Sequence, residues 1–287
     1  MTTELPYRLV KLASGVFSVH SVTFAETFHP VVGPTGEAEA LYLRQMQLAA
    51  RMQATREPFV VWDIGLGAAA NVLTVLRGLR EIPGEIQVIS FDNTQEPLRF
   101  ALQHHEELGY FTGYEAACET VLNQGVTEFQ NGANRVHWKL VEGDFPTLIS
   151  GEGSAQLAPP HAILFDAFSP ATNPAMWTLP LFTALHRRLD PSRPCSLATY
   201  SRSTLLRVTL MLAGFFVGAG HATGKKEETT IATNTLELLE SPLDKSWLER
   251  VKKSTSAEPI HEPVYRQQPL APPSLERLLA HPQFTRE

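Results

Sequence analysis

Four aspartates each close an apolar run. Phe59-Val60-Val61-Trp62 ends in Asp63, and Ile86-Gln87-Val88-Ile89-Ser90-Phe91 ends in Asp92. Val136-His137-Trp138-Lys139-Leu140-Val141 leads into Glu142-Gly143-Asp144, and His161-Ala162-Ile163-Leu164-Phe165 into Asp166. Short buried runs of this kind read as strands of a parallel sheet, and ligands of open parallel sheets lie beyond the carboxyl ends of the strands. A carboxylate there can accept hydrogen bonds from hydroxyls and amines. Asp92 is placed to accept both hydroxyls of a ribose, or else to cap the helix that Asn93, Thr94 and Pro97 announce. Asp144, with Phe145 beside it, is placed to take the exocyclic amine of an adenine. Asp166 opens the loop Ala167-Phe168-Ser169-Pro170-Ala171-Thr172-Asn173-Pro174-Ala175-Met176-Trp177, which is long and apolar enough to exclude water and hold an acceptor. Asp166 could orient an amine and accept its proton, or only cap the loop or hold a ligand ammonium.

The scaffold for these acids is legible as alternating elements. Gly65 and Gly67 follow Asp63, and Ala68, Ala69, Ala70, Val72 and Leu73 continue with helical spacing, giving strand, tight turn and a helix over 68–80. The turn lacks the third glycine of a dinucleotide fingerprint and the Lys of a P-loop. Upstream, residues 7–28 alternate apolar and polar around Ala13-Ser14-Gly15, a β-hairpin, and 37–52 read as one helix. Helices are expected over 95–108, 114–129, 179–189 and 204–213, a surface loop over 151–160, and a strand over 195–200. The last two strands, 215–219 and 229–233, have no helix between them and imply an antiparallel hairpin. The expectation is an α/β fold with a mostly parallel seven-stranded sheet. Residues 1–57 form the N-terminal hairpin and helix, 58–240 the main domain, and 241–287 a proline-rich extension.

Composition narrows the classes. A net charge of −6 gives no overall attraction for nucleic acid, so such a partner needs a local patch. Candidates are Arg187, Arg188, Arg202, Arg207, Lys225 and Lys226, although exposed cations are usually only solvated. Cys118 and Cys195 are isolated and read as buried thiols, and His104-His105 point apart on a helix, so no metal site is expected. The N-terminus carries no apolar leader and no run approaches membrane-spanning length, so a cytoplasmic protein without membrane contact is expected.

An acid just before a G-x-G turn also suits a ligand with an amino-acid part, as in the D/E-x-G-x-G of S-adenosylmethionine (SAM) methyltransferases, although such turns also occur without a ligand. The late antiparallel hairpin favours the same Rossmann-like class I fold. Asp166-Ala167-Phe168-Ser169-Pro170 with Asn173-Pro174 and Met176-Trp177 resembles the D-A-F-[AS]-P-x-x-N-P-x-M-W motif of the methyltransferase-domain family of MnmC. Glu26-Thr27-Phe28-His29, Glu37-Ala38-Glu39-Ala40-Leu41, Thr199-Tyr200-Ser201 and Gly224-Lys225-Lys226-Glu227 are similar to further family segments, and the likeness runs over 24–236.

The resemblance implies SAM as cofactor, held by Asp63, Gly65, Gly67, Asp92, Asn93, Asp144, Phe145 and Asp166, with Asp166 catalytic. It implies methylation of the aminomethyl nitrogen of 5-aminomethyl-(2-thio)uridine at the tRNA wobble position. Glu26, Phe168, Pro170, Met176 and Trp177 would meet the base, by stacking where aromatic, and Lys225 and Lys226 the tRNA backbone. Two departures stand out. The family turn is E-x-G-F-G-T-G, and Ala68-Ala69 here replace its hydroxyl and third glycine; a positive φ at Ala69 would cost about 1 kcal/mol. The tail after Ser241 is too short for the oxidase of longer members, so methyl transfer alone is expected. Methylation of a small molecule or protein, and a non-catalytic protein with a degenerate SAM site, remain the alternatives.

Overall fold

The computed structural model describes residues 6–30, 32–223 and 227–285. Lys225 and Lys226 lie outside them. The chain opens with β1 (Tyr7–Lys11), β2 (Phe17–Ser21) and the two-residue β3 (Glu26–Thr27), so the expected hairpin gains a third antiparallel strand. The helix expected over 37–52 is three pieces: α1 (Pro34–Ala38), a π-helical segment (Glu39–Arg44) and α2 (Leu48–Ala54). Gln45 N donates to Ala40 O at 3.3 Å, and Gln47, at φ 51°, breaks the run. The extra residue in the π turn brings neighbours Leu41 and Tyr42 both to the interior.

The main sheet is built from β4 (Phe59–Ile64), β5 (Gly84–Asp92), β6 (Val126–Asn131), β7 (Asn134–Glu142), β8 (Ala162–Phe165), β9 (Ser196–Thr199), β10 (Phe216–Gly220) and β11 (Thr229–Thr233), in the order β10-β11-β9-β8-β4-β5-β7-β6. Neighbours from β9 through β7 run parallel, while β11 is antiparallel to both β9 and β10. Among the described residues the sheet therefore has eight strands, not seven. The eighth, β6, pairs antiparallel with β7 where a helix to 129 was expected. That helix, α6 (Glu115–Gln124), stops at Gly125 in the left-handed region (φ 73°), and Asn131-Gly132 then turns the hairpin, with Gly132 at φ 60°.

Helices cover both faces. One face carries α1, α2, α3 (Ala70–Leu79), α4 (Glu96–Gln103), α5 (His105–Leu108) and α6 over a core that includes Leu76, Val88 and Trp138. The other carries α7 (Phe145–Ser150), α8 (Leu179–Arg187) and α9 (Thr204–Leu212) over Trp62, Phe165 and Phe182. The C-terminal extension, with α10 (Lys245–Lys253), α11 (Pro272–Leu279) and α12 (Pro282–Thr285), adds Trp247, Val251, Ile260, Leu278 and Phe284 to this second core. It also closes the sheet edge, since Gln283 accepts from Val217 N at 2.8 Å and donates to Val217 O at 2.7 Å. An exposed edge strand is thereby capped by an amide that mimics a further strand.

Candidate active site

A cleft of about 530 Å³ opens at the carboxyl ends of β4, β5, β7, β8 and β9, roofed by the 24–30 segment and the loop after β8. The volume lies in the range of pockets that enclose small ligands. Its floor is the turn after β4. Gly65 N and Leu66 N both donate to Phe91 O, at 2.9 and 3.2 Å. Gly65 has φ 88°, and a Cβ placed on it would lie 2.6 Å from Asp166 O. Only glycine lets the two loops touch in this way. Gly67, at φ 50°, donates its N–H to Asp92 Oδ2 at 2.8 Å. Ala69 does take the left-handed conformation, at φ 61° in the residue before α3, so the methyl that replaces the family glycine sits in a strained backbone position.

The four aspartates separate into distinct environments. Asp92 lines the cleft and binds Gly67 N and Thr94 N, at 2.8 and 3.2 Å. It is not the N-cap of α4, a position held by Gln95. Burial raises its pKa against these backbone bonds. Asn93 lines the cleft beside it. Asp144 lines the cleft and caps α7; Thr147 N and Oγ1 both donate to its Oδ2, at 3.1 and 2.6 Å, so the other oxygen keeps its lone pairs for a ligand. Phe145 packs edge-on to Phe91 next to it, a flat apolar surface for a base. Asp63, expected to touch the cofactor, instead lies fully buried beneath the turn and does not line the cleft. Ser90 Oγ donates to its Oδ2 at 2.8 Å and in turn accepts Trp138 Nε1 at 2.9 Å, while Oδ1 has no partner. Burial pushes the Asp63 pKa up to about 7, against the Ser90 bond and helped by Asp166 and Asp92.

Asp166 projects into the cleft with two partners on one oxygen. Asn71 Nδ2 donates to Oδ2 at 2.7 Å, and His29 Nε2 is 2.9 Å from the same atom. His29 closes the Glu26-Thr27-Phe28-His29 segment, but neither it nor Asn71 was expected to hold a site role, because their meeting depends on the positive φ of His29 and on the start of α3. Tyr42 was missed as well. This residue of the π segment is 1% exposed and lines the cleft, and its buried hydroxyl has no hydrogen-bond partner. Tyr200 lines the same region and donates to Ala167 O at 3.0 Å.

The loop after β8 is pinned at both ends. Glu26 accepts Ser169 Oγ at 2.7 Å and Thr172 Oγ1, so this expected substrate contact is first a staple between β3 and the loop, although it also lines the cleft. Trp177, expected to stack on substrate, is 0% exposed; it packs edge-on to Phe165 and donates Nε1–H to Phe168 O at 2.7 Å, supporting the loop from below. Pro170 does not line the cleft either, whereas Met176 and Phe168 do. Phe168 stands with Phe24 and Phe28, at ring distances of 4.5 and 5.7 Å, and Phe24 is 40% exposed at the mouth. Of the candidate cations, Arg207 is 2% exposed and bound to Thr229 O, Thr230 Oγ1 and Glu228, a structural role. Arg187 and Arg188 line a separate groove between α7 and α8, with Arg188 donating to Ile149 O and Gly151 O. Arg202, just beyond β9, is exposed and 3.4 Å from Glu227.

The sheet order and the place of this cleft are those of a Rossmann-like fold, and a family described as S-adenosyl-L-methionine-dependent methyltransferase matches residues 113–235. Within that class the sequence is similar to the tRNA 5-methylaminomethyl-2-thiouridine biosynthesis bifunctional protein MnmC. The Azoarcus sp. (strain BH72) protein is 30% identical over 216 residues, covering 73% of this chain and 33% of the relative. That of Burkholderia multivorans is 27% identical over 208 residues, covering 68% and 30%. The chain thus spans about a third of the length of these curated relatives. The crystal structure of MNMC2 from Aquifex aeolicus shares the fold at a TM-score of 0.69 and 21% identity, covering 97% of this chain and 85% of that one.

The residues present fit the cofactor that this class implies. Asp92 supplies a carboxylate for a ribose, Asp144 and Phe145 a polar edge and an apolar face for adenine, and the unpartnered Tyr42 hydroxyl a buried group waiting for a polar ligand. Tyr42→Phe removes a hydroxyl that is unsatisfied without ligand, so the melting temperature should hold or rise while SAM affinity falls about tenfold, the worth of one hydrogen bond. Calorimetric titration beside a thermal melt checks both signs. For Asp63 the folded pKa, about 7, lies above the unfolded value, so the folded state binds the proton more tightly. Its contribution is full at acid pH and lost as pH rises through about 7. Asp63→Asn should therefore gain stability over wild type as pH increases, by at most on the order of 4 kcal/mol above neutrality. Urea melts that run parallel across pH would contradict this.

Proposed function

We propose that this protein methylates the aminomethyl nitrogen of 5-aminomethyl-(2-thio)uridine at the tRNA wobble position, with SAM as donor. The observation that carries the reading is Asp166 on the floor of a cleft whose mouth is the apolar wall of Phe24, Phe28 and Phe168. The tRNA modification for which the MnmC relatives are named supports the choice of acceptor. Single-stranded loop bases are commonly read by aromatic faces, and a carboxylate beyond that wall suits a cationic amine more than a hydroxyl. Arg202 follows β9 in the sequence, and Lys225 and Lys226 follow β10; a tRNA backbone needs cations of this kind.

Bound in the cleft, SAM supplies a methyl group already activated on a positive sulfur. The protein's work is then alignment and exclusion of water. Asp166 draws in the ammonium, orients it, and takes a proton directly or through water so that the nitrogen lone pair is free. The Glu26 staple to Ser169 and Thr172 keeps the loop closed over that nitrogen. Tyr200, bound to Ala167 O, holds the backbone of the residue after the carboxylate.

Incubation with SAM and tRNA bearing 5-aminomethyl-2-thiouridine, followed by nucleoside mass spectrometry, should show a gain of one methyl. Asp166→Ala should lower kcat by about a hundredfold or more, the usual worth of a positioned acid or base. A wild-type protein that binds SAM and leaves this nucleoside unchanged would exclude the acceptor.

A further inference from the structure

His29 takes no part in that chemistry, yet it is built into the centre of the cleft. It follows β3 and holds φ 49°, a left-handed backbone that a non-glycine residue keeps only under constraint and that recurs at functional sites. Its Nε2 lies 2.9 Å from Asp166 Oδ2 and 3.0 Å from Asn71 Oδ1, and Asn71 Nδ2 donates to the same Asp166 oxygen at 2.7 Å. Three side chains from three distant segments close a ring on one carboxylate oxygen. Because Asn71 spends its amide N–H on Asp166, its Oδ1 faces the imidazole, and both contacts require a hydrogen on Nε2. The other ring nitrogen, Nδ1, is buried without a partner.

We propose that His29 is a positioning residue for methyl transfer: its Nε2–H holds Asp166 Oδ2, turns the second oxygen to the acceptor amine, and controls the charge that draws the amine in. This rests on the amine acceptor proposed above. With His29 protonated, the pair is neutral overall and has little pull on an ammonium; with His29 neutral, the pair carries a net negative charge. Among the described residues the groups around the pair include Glu37 on α1, Glu26 on β3, Tyr42 on the π segment, Tyr200 after β9 and Asp63 on β4. Burial by itself lowers the His29 pKa, but Asp166, with Glu37 and the Asn71 bond, outweighs it and leaves the net shift upward. Activity should accordingly rise with pH through a limb that belongs to His29.

The test pairs kinetics with spectroscopy. kcat/KM is followed against pH for wild type, His29→Gln and His29→Ala, with SAM affinity and melting temperature measured for each. The imidazole of His29 is titrated by NMR, without acceptor, in wild type and in Asp166→Asn. His29→Gln keeps an N–H donor and loses the titration, so its acid limb should move down by about one pH unit or more, with a plateau close to wild type. His29→Ala should lose about tenfold in kcat/KM at the plateau while SAM affinity is retained. In Asp166→Asn the imidazole pKa should fall. An unmoved limb in His29→Gln, a wild-type plateau in His29→Ala, or an imidazole indifferent to Asp166→Asn overturns the proposal. If wild type transfers nothing at any pH, the acceptor is wrong, and the imidazole titration alone then supports or overturns the pairing.

Discussion

Gly65 meets the carbonyl of Asp166 with no room for a side chain between them, a gap of 2.6 Å to any Cβ that might be added. That contact joins the turn after β4 to the loop after β8, and the same turn is tied to β5 by Gly67 N on Asp92. Three strand ends are thus locked in one rigid floor. Everything functional is referred to it: the carboxylates at fixed separations, α3 starting behind the turn, and Asn71 at its first turn reaching Asp166. Preorganisation of this kind is what a transfer between two bound partners requires, since misplacement costs rate more than any single contact does.

The roof is assembled from parts with weaker intrinsic order. β3 is two residues long, flanked by Ala25 and His29, both at positive φ, and it is kept in place by Glu26 gripping Ser169 and Thr172. The N-terminal sheet and the loop after β8 thereby stabilise one another. Tyr42 reaches the same space through the π segment, which sacrifices regular helical bonding to turn one more side chain inward. Unpaired buried atoms occur here on His29 and Tyr42, and beneath it on Asp63, as in a site whose hydrogen bonds are completed by a ligand.

Much of the floor was legible in the residues because strand ends, glycine turns and acids are local patterns. The apolar runs before Asp63, Asp92, Asp144 and Asp166 became β4, β5, β7 and β8, and the paired strands β10 and β11 closed the sheet as their short connection implied. β6 was obscured because its apolar residues continue the helical spacing of α6; Gly125 and Asn131-Gly132 mark the true boundaries of helix and hairpin. Side-chain roles were less legible, since they depend on depth. Nothing local distinguishes Asp63, sealed under the turn, from Asp92, open to the cleft. Trp177 and Arg207 likewise have the composition of binding residues and the burial of structural ones. His29 and Asn71 meet only through tertiary structure, 42 positions apart in the chain.

We propose that this floor seats SAM with its reactive end at Asp166. A crystal structure with S-adenosylhomocysteine is the test. The ribose should lie on Asp92, the base beside Asp144 and Phe145, and the sulfur end should face Asp166 and Tyr42, with the His29 to Asp166 contact intact. A ligand lodged elsewhere or reversed in the cleft, or no binding at saturating concentration, would contradict it.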